Sequence, residues 1–248
     1  MKTFKTMLRI EGKLSIRDMN MVIFAIIMPI IILVILGVIY GNKPAFEGAD
    51  YTFLEQSFGA MASIAICAGG LMGLPIMISE YRERKILKRF KVTPISPVMI
   101  LVVHLCIYAL YAAVSVVSLW LLGFLFWGIR LKGSLLVFIG GWLLVLISIL
   151  SIGLLVGGIA KNTKSASVIA SILYFPMLVF SGATLPYEIM PPLMQKIVSV
   201  MPLTQGIKIL KASVLGQPLD SVLLSVIVTL LLALLCIGAS IRFFRWEA

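Results

Sequence analysis

Charge is the scarcest ingredient of this 248-residue chain: Asp, Glu, Lys and Arg make up 12% of it, in short blocks between long uncharged runs. A soluble domain carries about twice that share spread over its surface, so the soluble class is excluded. Histidine occurs once, as His104. That excludes HExxH metal chemistry and leaves a histidine-based triad resting on a single side chain. Cysteine occurs three times, as Cys67, Cys106 and Cys236, each inside an apolar run and none at CxxC spacing. Neither a disulfide framework nor a zinc site is indicated, and the three read as small buried side chains. The phosphate-cradling pattern G-x-x-x-x-G-K-[ST] is missing as well, because Gly12-Lys13 has Met7 where the first glycine must stand. By that route the chain cannot hold a nucleotide.

What is present is hydrocarbon. Hydrophobic residues make up 61% of the chain and the mean hydropathy is +1.12, more apolar surface than a soluble protein of this length can hide but natural where it faces lipid. Crossing the bilayer takes about 20 apolar residues, and that rule gives six spans, 21–40, 57–79, 105–127, 134–160, 165–182 and 221–244. The fold class expected is therefore an all-α membrane protein, a single transmembrane domain over 1–248. The Lys and Arg residues fall 15 on the side of the two termini and 6 on the other. The positive-inside rule then places both termini in the cytoplasm. This also accounts for the formal net charge of +11 without nucleic acid as a partner, since no basic stretch is interleaved with stacking aromatics. No cleavable signal is apparent, and the first apolar run reads as an uncleaved anchor.

Three segments do not span. Residues 1–18 alternate Phe4, Met7 and Leu8 with Lys2, Lys5, Arg9, Lys13 and Arg17. At helical spacing this makes an interfacial helix with its basic side toward anionic lipid headgroups. Residues 80–97 are densely charged, and Ile86, Leu87 and Phe90 give them one apolar edge; a short amphipathic helix is expected there, stopped by Pro94 and Pro97. Residues 183–220 hold Pro186, Pro191, Pro192, Pro202 and Pro218 around Ile189, Leu193, Ile197, Val198 and Met201. A structureless outer loop has no use for so much apolar surface, so a short helix that dips into the outer leaflet or caps a cavity is expected. Within the spans, Pro29, Pro75 and Pro176 are candidate kinks. Gly69-x-x-x-Gly73 and Gly153-x-x-x-Gly157 permit close helix contact.

The interiors of the six spans hold no Asp, Glu, Lys or Arg, the groups that usually form proton or ion relays in the membrane. Transport against a gradient would therefore draw its energy from another subunit, and the basic, amphipathic segment 80–97 is the natural place to receive it.

The chain resembles the type-2 ABC exporter permeases, the membrane subunits of bacterial drug and polysaccharide exporters. Three stretches carry the resemblance: Glu80 to Ser96, with Glu80, Arg84 and Thr93-Pro94-Ile95-Ser96; Ser181-Gly182 followed by Pro186, Pro191 and Pro202-Leu203-Thr204; and the overall plan of an amphipathic N-terminal helix and six spans. It departs from the family's pattern at Lys85-Ile86, where a Gly-Thr pair is common, at Gln205 in place of an aromatic, and at His104 in place of a basic residue.

The resemblance implies that 80–97 is a coupling helix docking on an ATP-binding cassette ATPase. Its contact residues would be Glu80, Arg82, Glu83, Arg84, Ile86, Leu87, Lys88, Arg89, Phe90 and Pro94. Arg82, Arg84, Lys88 and Arg89 would supply charge complementarity, and Ile86, Leu87 and Phe90 would fill a groove on the partner. It also implies a re-entrant outer segment marked by Gly182, Pro186, Pro191 and Pro202, and a second permease subunit, identical or not, that completes a central cavity worked by alternating access. ATP and Mg would be bound by the ATPase, and this chain would bind no cofactor. The uncharged, methionine-rich interior suits a lipophilic or amphipathic cargo such as a drug, an antimicrobial peptide or a lipid-linked molecule, with polysaccharide as an alternative. A non-transport assembly or sensor subunit is the competing class. An intramembrane enzyme fares worst, lacking paired polar groups in the spans.

Overall fold

The computed structural model describes residues 2–17, 19–91, 96–181 and 190–244. These residues are helical almost throughout, with one isolated antiparallel bridge, Pro44 to Thr52, and no strand. Six helices are long and apolar enough to cross a membrane, in agreement with the expected class. The first is Met19–Tyr40 and the second is Phe53–Glu83. The third is Pro97–Trp127, the fourth Leu135–Ile159, the fifth Thr163–Phe180 and the sixth Leu223–Phe243.

Prolines shape the first two spans in the same way. Each is interrupted by a π-helical stretch, Ile23–Ile27 in the first and Ala68–Gly73 in the second, and in each the proline, Pro29 or Pro75, follows two residues later. A proline inside a helix has no N–H for the carbonyl four residues back and its ring crowds that carbonyl. Widening the preceding turn to i→i+5 bonding relieves both problems.

The second span is the hub. Its residues from Ala60 to Gly70 are buried on every side, as a helix that is apolar all round must be. It packs on the first, third, fourth and fifth spans and on an outer helix. Small residues allow the closest approaches. A side chain at Gly153 on the fourth span would place its Cβ 1.9 Å from the Gly70 carbonyl oxygen, and one at Gly157 would meet the Pro75 Cα at 3.0 Å. The first and sixth spans lie at the periphery, and their exposed side chains, Val38, Leu235 and Ile241 among them, are the surface that hydrocarbon covers.

Helix ends depart from expectation in three places. The second span runs beyond 57–79 at both ends, so Glu55, Glu80, Arg82 and Glu83 belong to a spanning helix and not to loops. The third begins at Pro97 instead of residue 105, with Ser96 as its cap (Oγ accepting from Val98 N at 3.3 Å). Pro97 therefore starts a helix, as a fixed φ at the first helical position favours, and does not stop one. On the outer side the expected single short helix is a pair, Pro192–Ser199 and Pro202–Leu215, bent by 98°. The second member is buried through Leu203, Gly206, Ile209 and Leu210 against the second and fourth spans.

Candidate functional site

The terminal end of the second span, the end shared with the N-terminal helix and the close of the sixth span, gathers most of the described polar contacts between spans. Five consecutive residues, Glu80 to Arg84, point around the helix, and all five tie to other parts of the bundle or to each other. Arg82 is 3% exposed. Its guanidinium donates to the carbonyls of Gly157 (2.5 Å), Gly158 (3.3 Å) and Ala160, and lies 5.9 Å from the Phe244 ring. These carbonyls close the fourth span, where a helix has acceptors without intrahelical donors and a negative dipole end. A buried cation with several hydrogen bonds is the stable partner for such an end. Glu83 accepts from Thr163 Oγ1 at 2.5 Å at the start of the fifth span, and Glu80 pairs with Arg84 at 2.7 Å one turn along.

Beyond Glu83 the chain turns at Arg84 and Lys85, the latter at φ +56°, and enters the short helix Ile86–Lys91. Leu87 anchors this helix at 1% exposure, while Arg84, Lys85 and Lys88 are exposed. The expected docking set is divided by burial. Arg82 and Leu87 are engaged within the chain, Arg82 because a guanidinium caps the fourth span and Leu87 because the apolar edge of the short helix packs inward. Glu83, Arg84 and Lys88 stay on the surface and Ile86 is half-buried. The side chains of Arg89 and Phe90, and the whole of Pro94, Gly182 and Pro186, lie outside the described residues. Pro191 caps the helix Pro192–Ser199, and Pro202 is the first residue of its partner. Gln205, the departure from an aromatic, is buried and donates its amide to the Ser199 carbonyl, bridging the 98° bend.

Beside this end opens a cavity of about 630 Å³ between the N-terminal helix and the first, second, third and fifth spans. Met72, Ile76, Met77, Phe24, Tyr108 and Phe175 are among its lining, and Glu11, Glu80, Arg84 and His104 are the acidic and basic side chains in it. Glu11 is the one acidic residue of the N-terminal helix. It reaches over the second and third spans, accepting from the Tyr81 hydroxyl at 2.8 Å and facing His104 Nε2 at 3.5 Å. Ser15, one turn on, donates to Tyr111 Oη at 3.2 Å. The His104 imidazole, chiefly, and then the Tyr81 hydroxyl hold the Glu11 carboxyl below its ordinary value of 4.5, against burial, which pushes it up. Among the described residues no group of three or more His, Cys, Asp or Glu side chains is placed to hold a metal ion.

Sequence reasoning reached the basic segment but not the Glu11–Tyr81–His104 cluster. The one available signal was Glu11, an acid on the apolar side of an otherwise basic helix.

The comparisons with known proteins agree with one another. A family model described as ABC-2 type transporter matches residues 2–215. The inner membrane transport permease YhhJ of Escherichia coli (strain K12) is 30% identical over 132 residues, 53% of this chain and 35% of that protein. Nodulation protein J of Neorhizobium galegae is 30% identical over 94 residues, 38% of this chain and 34% of that protein. The matched stretch spans about a third of the length of these relatives.

Proposed function

This chain belongs to the ABC-2 type transporter family, and from that premise we propose that it is the membrane subunit of an ATP-driven exporter. Both termini lie in the cytoplasm of a bacterial cell. Hydrolysis takes place on a separate ATP-binding cassette subunit that binds ATP and Mg, and a second permease subunit completes the path. The cargo is lipophilic or amphipathic and enters from the cavity beside the second span, whose wall is mostly apolar with a few charges at one end, the composition of sites for such molecules.

The observation that carries the reading is the join between the short helix and the hub. Arg84, Lys85 and Lys88 form an exposed basic platform, and only a two-residue turn separates the short helix Ile86–Lys91 from a span tied to the fourth by Arg82, to the fifth by Glu83 and to the N-terminal helix by Tyr81. A push on that platform reaches the wall of the cavity through rigid, packed elements, as alternating access requires.

The test is co-purification in mild detergent with an ATP-binding cassette ATPase encoded next to this chain, then ATP hydrolysis in lipid. The complex is expected to hydrolyse ATP in a manner dependent on this subunit. The double variant Arg84→Glu, Lys88→Glu is expected to keep the chain folded and to weaken assembly about tenfold or more. A chain that purifies alone, with no ATPase captured by crosslinking through 80–91, would favour a non-transport assembly or sensor role.

A further inference from the structure

The cavity inverts the charge of the chain. Lys and Arg outnumber Asp and Glu by 21 to 10 overall, yet among the described residues no lysine lines the cavity. The one described guanidinium in its lining, Arg84, is paired with Glu80 at 2.7 Å near the mouth, where both are well exposed. Deeper in, the fixed charge is the Glu11 carboxylate, 14% exposed, with the His104 imidazole, 7% exposed, as its facing group. Around them stand Phe24, Tyr108, Tyr174 and Phe175. The Tyr174 hydroxyl is buried, at 2% exposure for the residue, and has no hydrogen-bond partner among the described residues.

Aromatic faces and a carboxylate in a low-dielectric recess attract a cation and repel an anion. We propose that this cavity is a binding site for lipophilic monocations, with Glu11 as the counter-charge. The proposal rests on the reading of the cavity as the place where cargo is held, and narrows that cargo's class. The other ionisable groups facing the pair are Glu80, Tyr81 and Arg84 of the second span, Tyr108 and Tyr111 of the third and Tyr174 of the fifth. Arg9 and Lys13 of the N-terminal helix are exposed to the outside.

The experiment compares tetraphenylphosphonium with tetraphenylborate, ions of closely similar size and opposite sign. Binding to the purified full chain in nanodiscs is measured by equilibrium dialysis against empty discs. Saturable binding of the phosphonium and none of the borate above the empty-disc level is expected. Glu11→Gln should lower phosphonium affinity at pH 8 about tenfold or more.

Equal binding of both ions, or a folded Glu11→Gln protein that binds the phosphonium as well as the wild type, overturns the proposal. If Glu11→Gln does not fold, the charge comparison on the wild type decides it alone. The two readings fail separately. Phosphonium binding without ATP-driven movement in proteoliposomes would leave the site standing and remove the exporter. ATP-driven transport with no preference for the cation would do the reverse.

Discussion

The two ends of the second span carry similar side chains and handle them differently. At the end away from the N-terminal helix Glu55 closes a capping box with Thr52 (3.0 and 3.1 Å), accepts from the Arg130 backbone N–H at 3.3 Å and lies 3.7 Å from Lys132 Nζ. Lys132 in turn bonds the Asp50 carbonyl, and its backbone N–H bonds the Val214 carbonyl on the helix Pro202–Leu215 at 2.9 Å. This end is closed: its charges are answered within the chain by several overlapping contacts. At the terminal end, Arg82 is the one described side chain that donates to the carbonyls closing the fourth span, while Arg84, Lys85 and Lys88 are left outward. One end is a seal and the other a joint. A membrane subunit driven from one side needs both, since a push at the joint moves a wall only if the far end of the lever stays fixed.

The largest effect is expected where one side chain has no substitute. Arg82→Met keeps the length of the side chain but leaves the carbonyls of Gly157, Gly158 and Ala160 without their donor in a buried setting. A loss of about 3 kcal/mol is expected, read as a lowered midpoint of thermal unfolding in detergent. Arg82→Lys should recover only part of it, because an ammonium cannot spread its donors over several carbonyls as a planar guanidinium does. An Arg82→Met protein as stable as the wild type would show that the joint does not depend on this residue. At the sealed end, Thr52 N uses Glu55 Oε2 and Arg130 N uses Oε1; Glu55→Gln keeps only one acceptor oxygen, so it loses one of these bonds and the charge facing Lys132, and about 2 kcal/mol is expected in the same assay. A larger loss for Glu55→Gln than for Arg82→Met would reverse the comparison.

The spans were legible in the sequence because length and apolarity are all a bilayer asks of a helix. Their ends were not, for a reason these two regions make plain. Glu55, Glu80, Arg82 and Glu83 each end an apolar run, and charge at the edge of an apolar run reads the same whether the backbone stays helical or not. Only the carbonyls of the fourth span, some 75 residues away in sequence from Arg82, show why a guanidinium belongs inside. The helix Pro202–Leu215 was hidden similarly: Thr204, Gln205, Lys208 and Lys211 lower its hydropathy below that of a span, although protein and not lipid surrounds it. Within the candidate site, the basic platform was visible as a charge run. The Glu11–His104 pair was not, because no local pattern links residues on different helices.

The smallest effect concerns that pair, which fastens the N-terminal helix to the joint. Because the Glu11 carboxyl is held below 4.5 in the folded protein, it is ionised more readily there than in the unfolded chain. Its contribution to docking is therefore complete above pH 4.5 and is lost as the pH falls through the lower folded value. The amide protection factors across residues 2–17, taken relative to the intrinsic exchange rate at each pH, are expected to be high at neutral pH and to fall on acidification below 4.5, while the amides around Glu55 keep their protection. In Glu11→Gln the same segment should exchange faster at neutral pH and change less with acid. If protection of the helix is indifferent to both the substitution and the pH, the helix is held by Phe4, Met7 and Leu8 packing alone, and the terminal end would be a joint in which charge has no part in placing the N-terminal helix.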